Sequence, residues 1–324
     1  MQEAIQAEAD TIFQPAKKPT IYFIGMTTGK SSIMRVFPKW AKFLGLGDVA
    51  IQGIDCRWHE NPAVYRRVVE FIRNDPLSQG ALVTTHKIDL FKACRDLFAE
   101  LDPRAEMLGE VSCISKSDGR LRGDAKDSVT SGLALKAFLP SEHWITTGGE
   151  ALVLGAGGSS IAITSYLMDP RHGANRPTRI IVTNRNRPRL DEMQAIHRKI
   201  DASISVEYHL STRPEDSDAL LARLRPRSLV INATGLGKDA PGSPLTAGAN
   251  FPAGGFAWDF NYRGQLMFLD QAQAQASAHA LTVVDGWVYF IYGWTRVVAE
   301  VFAVDIPTSG PKFEAISCMA QEAR

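Results

Sequence analysis

Short apolar runs alternate with amphipathic stretches along this chain, and the alternation predicts strands and helices in turn. Residues 21–25 form a β-rich run, and a helical pattern follows over about 32–46. Strand candidates at 49–56 and 80–85 bracket a helix at 62–74, with Pro62 in its first turn, and 86–99 continues as a helix. Residues 115–123, with Asp118-Gly119 at the tip, read as a hairpin, and a helix over about 128–138 follows. From Ala151 the alternation restarts, with strands expected at 151–154, 180–183, 204–208, 228–232, 256–259 and 281–284. The stretch 168–179 reads as a long connection, and Gln271-Ala-Gln-Ala-Gln-Ala as an exposed helix. After Asp285-Gly286 the chain is aromatic-rich and helical in pattern to its end, while residues 1–19 read as a frayed or loosely docked leader. Strands alternating with helices indicate mostly parallel sheets covered on both faces.

Composition narrows the class. The 324 residues allow two domains with sizeable cores, and 45% hydrophobic content with a formal charge of +1 describes an ordinary soluble protein. A near-neutral balance argues against a nucleic-acid partner, whose phosphates need a basic field. Cys56, Cys94, Cys113 and Cys318 are scattered, with neither metal-ligand spacing nor disulfide density, which fits a reducing cytoplasm. No apolar signal core is present near Met1, and the apolar stretch 287–304 contains Arg296 and Glu300, so no membrane span is expected. The histidines form no metal constellation, and no metal is expected.

The first candidate chemistry lies at Ala151-Leu-Val-Leu-Gly155-Ala156-Gly157-Gly158-Ser159-Ser160. An apolar strand meets a glycine cluster that opens a helix, the start of a Rossmann-type dinucleotide-binding unit. Gly155 permits the tight turn, and Gly157 lets the backbone approach a pyrophosphate at the helix N-terminus. Ser160 stands where the third glycine of GxGxxG is usual. The next strand ends in Asn184-Arg185-Asn-Arg187-Pro-Arg189 rather than in the acid an NAD site uses for its ribose hydroxyls. Guanidinium groups there suit a 2′-phosphate, so the cofactor expected is NADP(H) rather than NAD(H).

Three further stretches specify more: Gly80-Ala-Leu-Val-Thr84-Thr85-His86-Lys87, Gly123-Asp-Ala-Lys-Asp127 and Asn232-Ala233-Thr234-Gly-Leu-Gly237. With the glycine cluster, Asp259-Phe-Asn-Tyr262 and Asp285-Gly286, their order resembles the shikimate/quinate dehydrogenase family over about residues 20–300. That family's strings run GxxVTxPxK, GxNTDxxG, GAGG, TNR, NATxxG, DxxY and DGxxM. The resemblance implies a catalytic pair at Lys87 and Asp127. Oxidising a secondary alcohol moves a hydride to the nicotinamide while a positioned base takes the hydroxyl proton. Considered apart from the motif order, the two residues read as surface groups at an element start and a turn. The resemblance also places Asn232, Ala233 and Thr234 along the nicotinamide side.

The substrate side departs from the pattern. The family holds the substrate carboxylate with an SxS segment, a threonine and a tyrosine; Ser31, Thr84 and Tyr262 match, but the first serine falls on Gly29. Thr28, Lys30 and Ser32 are candidate replacement donors, or else polar starts to the following helix. The family's VNT asparagine falls on Ser112, the asparagine before the lysine on Leu82, and the late glutamine near Tyr292-Gly293. Trp287, Tyr289 and Tyr292 stand where smaller residues are usual, read mainly as core packing with one of them a candidate pocket wall. His86, beside Lys87, reads either as a substrate contact titrating near neutrality or as a helix cap.

The expected architecture is therefore α/β with two domains and a cleft between them. A mostly parallel substrate domain (1–127, completed by 286–324) accompanies an NADP-binding Rossmann-type domain (128–285). The expected function is NADP-dependent interconversion of hydroxyl and ketone on a small cyclic hydroxy-carboxylate, with 3-dehydroshikimate/shikimate as the default pair. The alternatives are a related enzyme acting on another cyclic substrate and a non-catalytic ligand sensor on the same fold. Methylenetetrahydrofolate dehydrogenases share a lysine-bearing first domain, but the GDxxD and TNR segments favour the shikimate pattern. The partner expected is a small molecule, for a cytoplasmic monomer or homodimer.

Overall fold

The computed structural model describes residues 14–324 except 202 and 239. The leader expected over 1–19 thus lies mostly outside the described residues. Its described end is docked, since Ala16 is buried and its N–H donates to Asp75 Oδ2 at 2.9 Å. Two compact units are present: the described residues through Lys126 together with Ile291–Arg324, and Asp127–Phe290.

The first unit is built on β1 (Thr20–Gly25), β2 (Ala50–Asp55), β3 (Ser78–Val83), β4 (Glu100–Leu101), β5 (Cys113–Ser117) and β6 (Arg120–Asp124), in the order β2-β1-β3-β5-β6-β4. The apolar run of β1 is buried at every position, as a central strand between two parallel neighbours requires. Asp118 and Gly119 have φ of +50° and +71°, the hand that a two-residue hairpin turn needs, and they join β5 to β6 antiparallel. This hairpin makes the sheet mixed, since β3 and β5 are antiparallel too. The register of β3 slips beside Thr20 and Ile21, and Gly80 has φ +146°. A Cβ there would lie 2.1 Å from the Ile114 carbonyl oxygen, so the strand passes β5 only as glycine.

Between the strands run helices Ile33–Leu44, Pro62–Asn74, Lys87–Cys94 and Pro103–Leu108. The pattern over 86–99 resolves into Lys87–Cys94 and one 3₁₀ turn, Arg95–Leu97, while β4 and Pro103–Leu108 are too short to show periodicity. The C-terminal helix Pro311–Gln321 closes over Ile33–Leu44. Buried Trp40 donates through Nε1 to Ile316 O at 2.9 Å, and Arg35 Nε donates to Ala323 O at 3.1 Å.

The second unit carries β7 (Ala151–Leu154), β8 (Ile180–Asn184), β9 (Val206–Leu210), β10 (Leu229–Asn232), β11 (Phe256–Asp259) and β12 (Thr282–Val284). All pairs are parallel, in the order β12-β11-β10-β7-β8-β9. The chain steps from β7 through β8 to β9 and then crosses back to β10. The carboxyl ends of β7 and β10 are therefore the switch point at which doubly wound sheets bind ligands. Helix Asp127–Lys136 approaches helix Gly158–Leu167 at Gly132, where a Cβ would meet the Tyr166 ring at 2.2 Å.

The glutamine-rich segment differs from its expectation as an exposed helix. It breaks into Met267–Gln273 and Ala276–His279, and Gln271 and Gln275 are half-buried. Their side-chain amides donate to the Leu245, Thr246 and Ala249 carbonyls, and Gln275 Oε1 accepts from Phe251 N. An irregular loop carries backbone groups that need partners, and these glutamines supply them. No helix of the described residues is long and apolar enough to cross a membrane. No group of three or more His, Cys, Asp or Glu among them is arranged to hold a metal ion.

Candidate active site

At the switch point Gly155 has φ +111°, and a Cβ on it would lie 2.7 Å from the Ala233 carbonyl oxygen and 3.2 Å from Thr234 N. The turn after β7 thus presses against the turn after β10. Ala156 is buried beneath the loop, whereas Gly157 is exposed and a Cβ there would meet nothing within 4 Å. Gly157 caps helix Gly158–Leu167 without a capping side chain, so the first-turn amides, including those of Gly158 and Ser159, are available to an anion. Ser160 is fully buried at the third glycine position, and its hydroxyl has no hydrogen-bond partner among the described residues.

The end of β8 separates the arginines by role. Asn184 Oδ1 accepts from Asn186 N at 3.1 Å, which shapes the turn, and Asn186 caps helix Arg187–Ile200 by accepting from Arg189 N. Arg189 is already paired, with Nη1 2.8 Å from Glu192 Oε2. Arg185 is exposed and makes no ion pair among the described residues, and Arg187 is exposed beside it.

Asn232 turns inward rather than toward a ligand. It is fully buried, donates to Asp259 Oδ2 at 3.2 Å, and accepts from Thr234 Oγ1 at 2.7 Å and Thr234 N at 3.2 Å. Its side chain is an anchor for the turn, and Ala233 and Thr234 are the groups the turn presents. Asp259, which the sequence offers only as the start of the DxxY string, is the acid that holds this turn. Burial pushes its carboxyl up to about 7, against the N–H groups of Asn261 and Asn232 that favour the anion. The native state therefore holds this proton more tightly than the unfolded chain does. Stability should fall as pH rises from about 4 through about 7, by on the order of a few kcal/mol. Asp259→Asn should flatten that slope, and thermal melts across the range check it.

In the first unit, candidate residues gather where β1 and β3 end. Thr84 N donates to Ile24 O at 3.1 Å, and Lys87 N to Thr84 O at 3.2 Å, so Lys87 opens its helix one turn beyond β3. Lys87 is only 6% exposed. Ser31 and Ser32 are buried in the turn after β1. Thr28, a candidate replacement donor, is instead committed, with its N–H and hydroxyl on Asp55 Oδ1 at 2.8 and 2.6 Å. A Cβ on Gly29 would meet nothing within 4 Å, so the missing serine leaves open space.

Two of the expected substrate contacts are employed otherwise. His86 is 1% exposed, its Nδ1 lies 2.8 Å from the Tyr65 hydroxyl, and burial lowers its pKa. It stands at the N-cap position of helix Lys87–Cys94, where its carbonyl accepts from Leu90 N at 2.8 Å while its ring packs into the core rather than capping the helix. Ser112 Oγ accepts from Lys126 N at 2.8 Å and fixes the strand end before Asp127. Lys126 itself bridges Asp124 and Glu300 at 3.3 and 2.8 Å.

In the second unit, Asp127 begins helix Asp127–Lys136 and is half-buried, with the Tyr289 hydroxyl donating to its Oδ2 at 3.2 Å. Tyr262 is held between Trp287 and Phe290, at ring-centroid distances of 5.2 and 4.8 Å. Tyr292, in the first unit, belongs to the core there, stacked on Phe313 and donating to Thr308 O at 3.0 Å.

These features define a two-unit α/β protein in which one unit is a Rossmann-type sheet with a glycine turn at its switch point. No protein-family profile matches the chain. It is 27% identical over 193 residues to shikimate dehydrogenase (NADP(+)) of Lactococcus lactis subsp. cremoris, covering 60% of this chain and 63% of that one. The first curated relatives it matches are spanned over 63%, 49% and 48% of their lengths. Among solved structures, shikimate 5-dehydrogenase from Thermus thermophilus, in complex with NADP(H) and shikimate, superposes at a TM-score of 0.66 and 22% identity. That superposition covers 94% of this chain and 99% of that one. The ligand-free form of 5-ketofructose reductase from Gluconobacter sp. strain CHM43 does so at 0.64 and 16%, covering 94% and 99%. The chain is thus similar to shikimate dehydrogenases in part of its sequence and in its fold.

Proposed function

We propose that this protein is an NADP-dependent dehydrogenase that interconverts a hydroxyl and a ketone on a small cyclic hydroxy-carboxylate. The observation that carries the reading is the turn at Gly155, backed against Ala233, with open space at Gly157 and, at the end of the neighbouring strand, the exposed Arg185, which makes no ion pair among the described residues. Gly155, Ala156, Gly157, Gly158 and Ser159 would cradle the pyrophosphate. Arg185 would meet the 2′-phosphate, with Asn184 and Arg189 shaping its turn. The nicotinamide ring, when bound, accepts or returns the hydride. In oxidation Lys87 takes the hydroxyl proton at Nζ and in reduction it returns it, with Asp127 as its partner carboxylate. Ser31, Thr84 and Tyr262 remain the candidates for the substrate carboxylate.

The substrate is the point of divergence. Gly29 and Gly293 leave open space, Ser112 is committed to the backbone, and His86 is packed on Tyr65. A ring hydroxyl facing such positions goes unpaired, and each lost hydrogen bond costs about 0.5–1.5 kcal/mol. Shikimate is the default, but an acid with fewer or differently placed hydroxyls should outperform it. A protein of this fold named 5-ketofructose reductase is in keeping with a substrate other than shikimate. The unpaired cysteines Cys56, Cys94 and Cys113 are buried, which suits a reducing cytoplasm. A monomer or homodimer completes the reading.

Following NADPH formation against shikimate, quinate and related cyclic acids tests it. For shikimate, kcat/KM should fall below the ordinary range of about 10⁴ M⁻¹s⁻¹. A value within that range or above it, with shikimate the best substrate, would refute the altered pocket. NADPH binding without turnover of any acid would instead identify a ligand sensor. Arg185→Ala should weaken NADP(H) by about tenfold or more and leave NAD(H) unchanged, since a charge-assisted contact contributes about 1.5–3 kcal/mol. Equal weakening of both cofactors would remove the phosphate assignment.

A further inference from the structure

We propose that Tyr289 is a positioning residue of the candidate active site, its hydroxyl holding Asp127 in a fixed orientation; this rests on the dehydrogenase reading above. Tyr289 stands in helix Trp287–Val301, three residues after Gly286, where the DGxxM pattern places methionine. Methionine has no donor, so the contact to Asp127 Oδ2, at 3.2 Å, depends on the tyrosine hydroxyl.

The phenol is well placed for the task. Its ring lies 4.9 Å from Phe260 and 6.1 Å edge-on from Trp258, so neighbouring aromatics fix both side-chain torsions. The helix start is fixed as well, because Gly286 N donates to Asn261 O at 2.9 Å and a Cβ at Gly286 would strike the Phe260 carbonyl oxygen at 2.1 Å. Asp127, by contrast, begins its helix half-buried, with two torsions to settle. A rigid donor on Oδ2 holds the carboxylate in one orientation. Catalytic groups lose much of their effect when they depart from the productive geometry by about 10–20°. The hydroxyl thus acts through Asp127, without touching the reacting atoms.

Tyr289→Phe keeps the ring and its packing and removes only the donor, so the melting temperature should hold. With NADP+ and the best acid of the panel, kcat should fall about tenfold, the scale of one hydrogen bond to a charged group. KM for NADP+ should stay as in the parent. The same change in an Asp127→Asn background should cost nothing further, because the group it positions is already altered. Unchanged kcat in Tyr289→Phe, or an equal loss in both backgrounds, overturns the proposal. A turnover-independent arm uses protein labelled with ¹³C at tyrosine Cζ. The resonance missing from Tyr289→Phe should move in Asp127→Asn, and a resonance that stays in place overturns the proposal on its own. If the parent turns over no acid, the dehydrogenase reading fails, and the resonance still decides whether the hydroxyl holds the carboxylate.

Discussion

Lys87→Ala is expected to lower turnover by about 10²–10⁴-fold, the usual contribution of a general acid–base group, while NADP(H) binding persists. A lysine only 6% exposed at the first position of a helix is costly as structure. Ile88 and Leu90, which follow it, already supply the apolar burial that this segment needs. The position therefore calls for an amine. Lys87→Met, which keeps the length of the stem, should lose the same activity with little change in melting temperature, separating chemistry from packing. Asp127→Asn should be similarly damaging. Near-parental steady-state rates in Lys87→Met or Asp127→Asn would remove the pair from the reaction.

Gly155→Ala is expected to destabilise the second unit by roughly 2–4 kcal/mol and to abolish NADPH binding. Two independent costs meet there. The backbone stands at φ +111°, which side-chain-bearing residues rarely adopt, and the new Cβ would sit 2.7 Å from a carbonyl oxygen of the adjoining turn. That obstacle is backbone and cannot swing aside. Gly157→Ala is the contrast, since its Cβ meets nothing within 4 Å and the fold should be untouched. NADPH affinity should nevertheless fall by about tenfold or more, because the methyl would occupy the space through which a pyrophosphate approaches. Calorimetric melts and fluorescence titration with NADPH measure both effects. Undiminished affinity in Gly157→Ala would place the phosphates elsewhere.

The strand-and-helix alternation follows from the order of residues alone, because a buried parallel strand must be an apolar run and a helix covering it must be amphipathic. The central strands β1, β7 and β11 and the turn at Asp118-Gly119 were legible for that reason. The turn glycine Gly155 was legible as well, whereas the need for glycine at Gly80 comes from the Ile114 carbonyl of the neighbouring strand. Short elements such as β4 and helix His143–Thr147 carry too few residues to show a period. The exposure of the glutamine segment was misread because a glutamine on a helix looks alike whether it faces water or a loop carbonyl. Which polar side chains are spoken for emerges only once the chain is folded. Thr28 bonds Asp55, His86 bonds Tyr65, Ser112 bonds the Lys126 amide, Asn232 bonds Asp259, and the Tyr289 hydroxyl reaches Asp127. Those partners lie from 14 to 162 positions apart in the chain, and a hydrogen bond depends on distance in space, which residue type and local spacing do not encode.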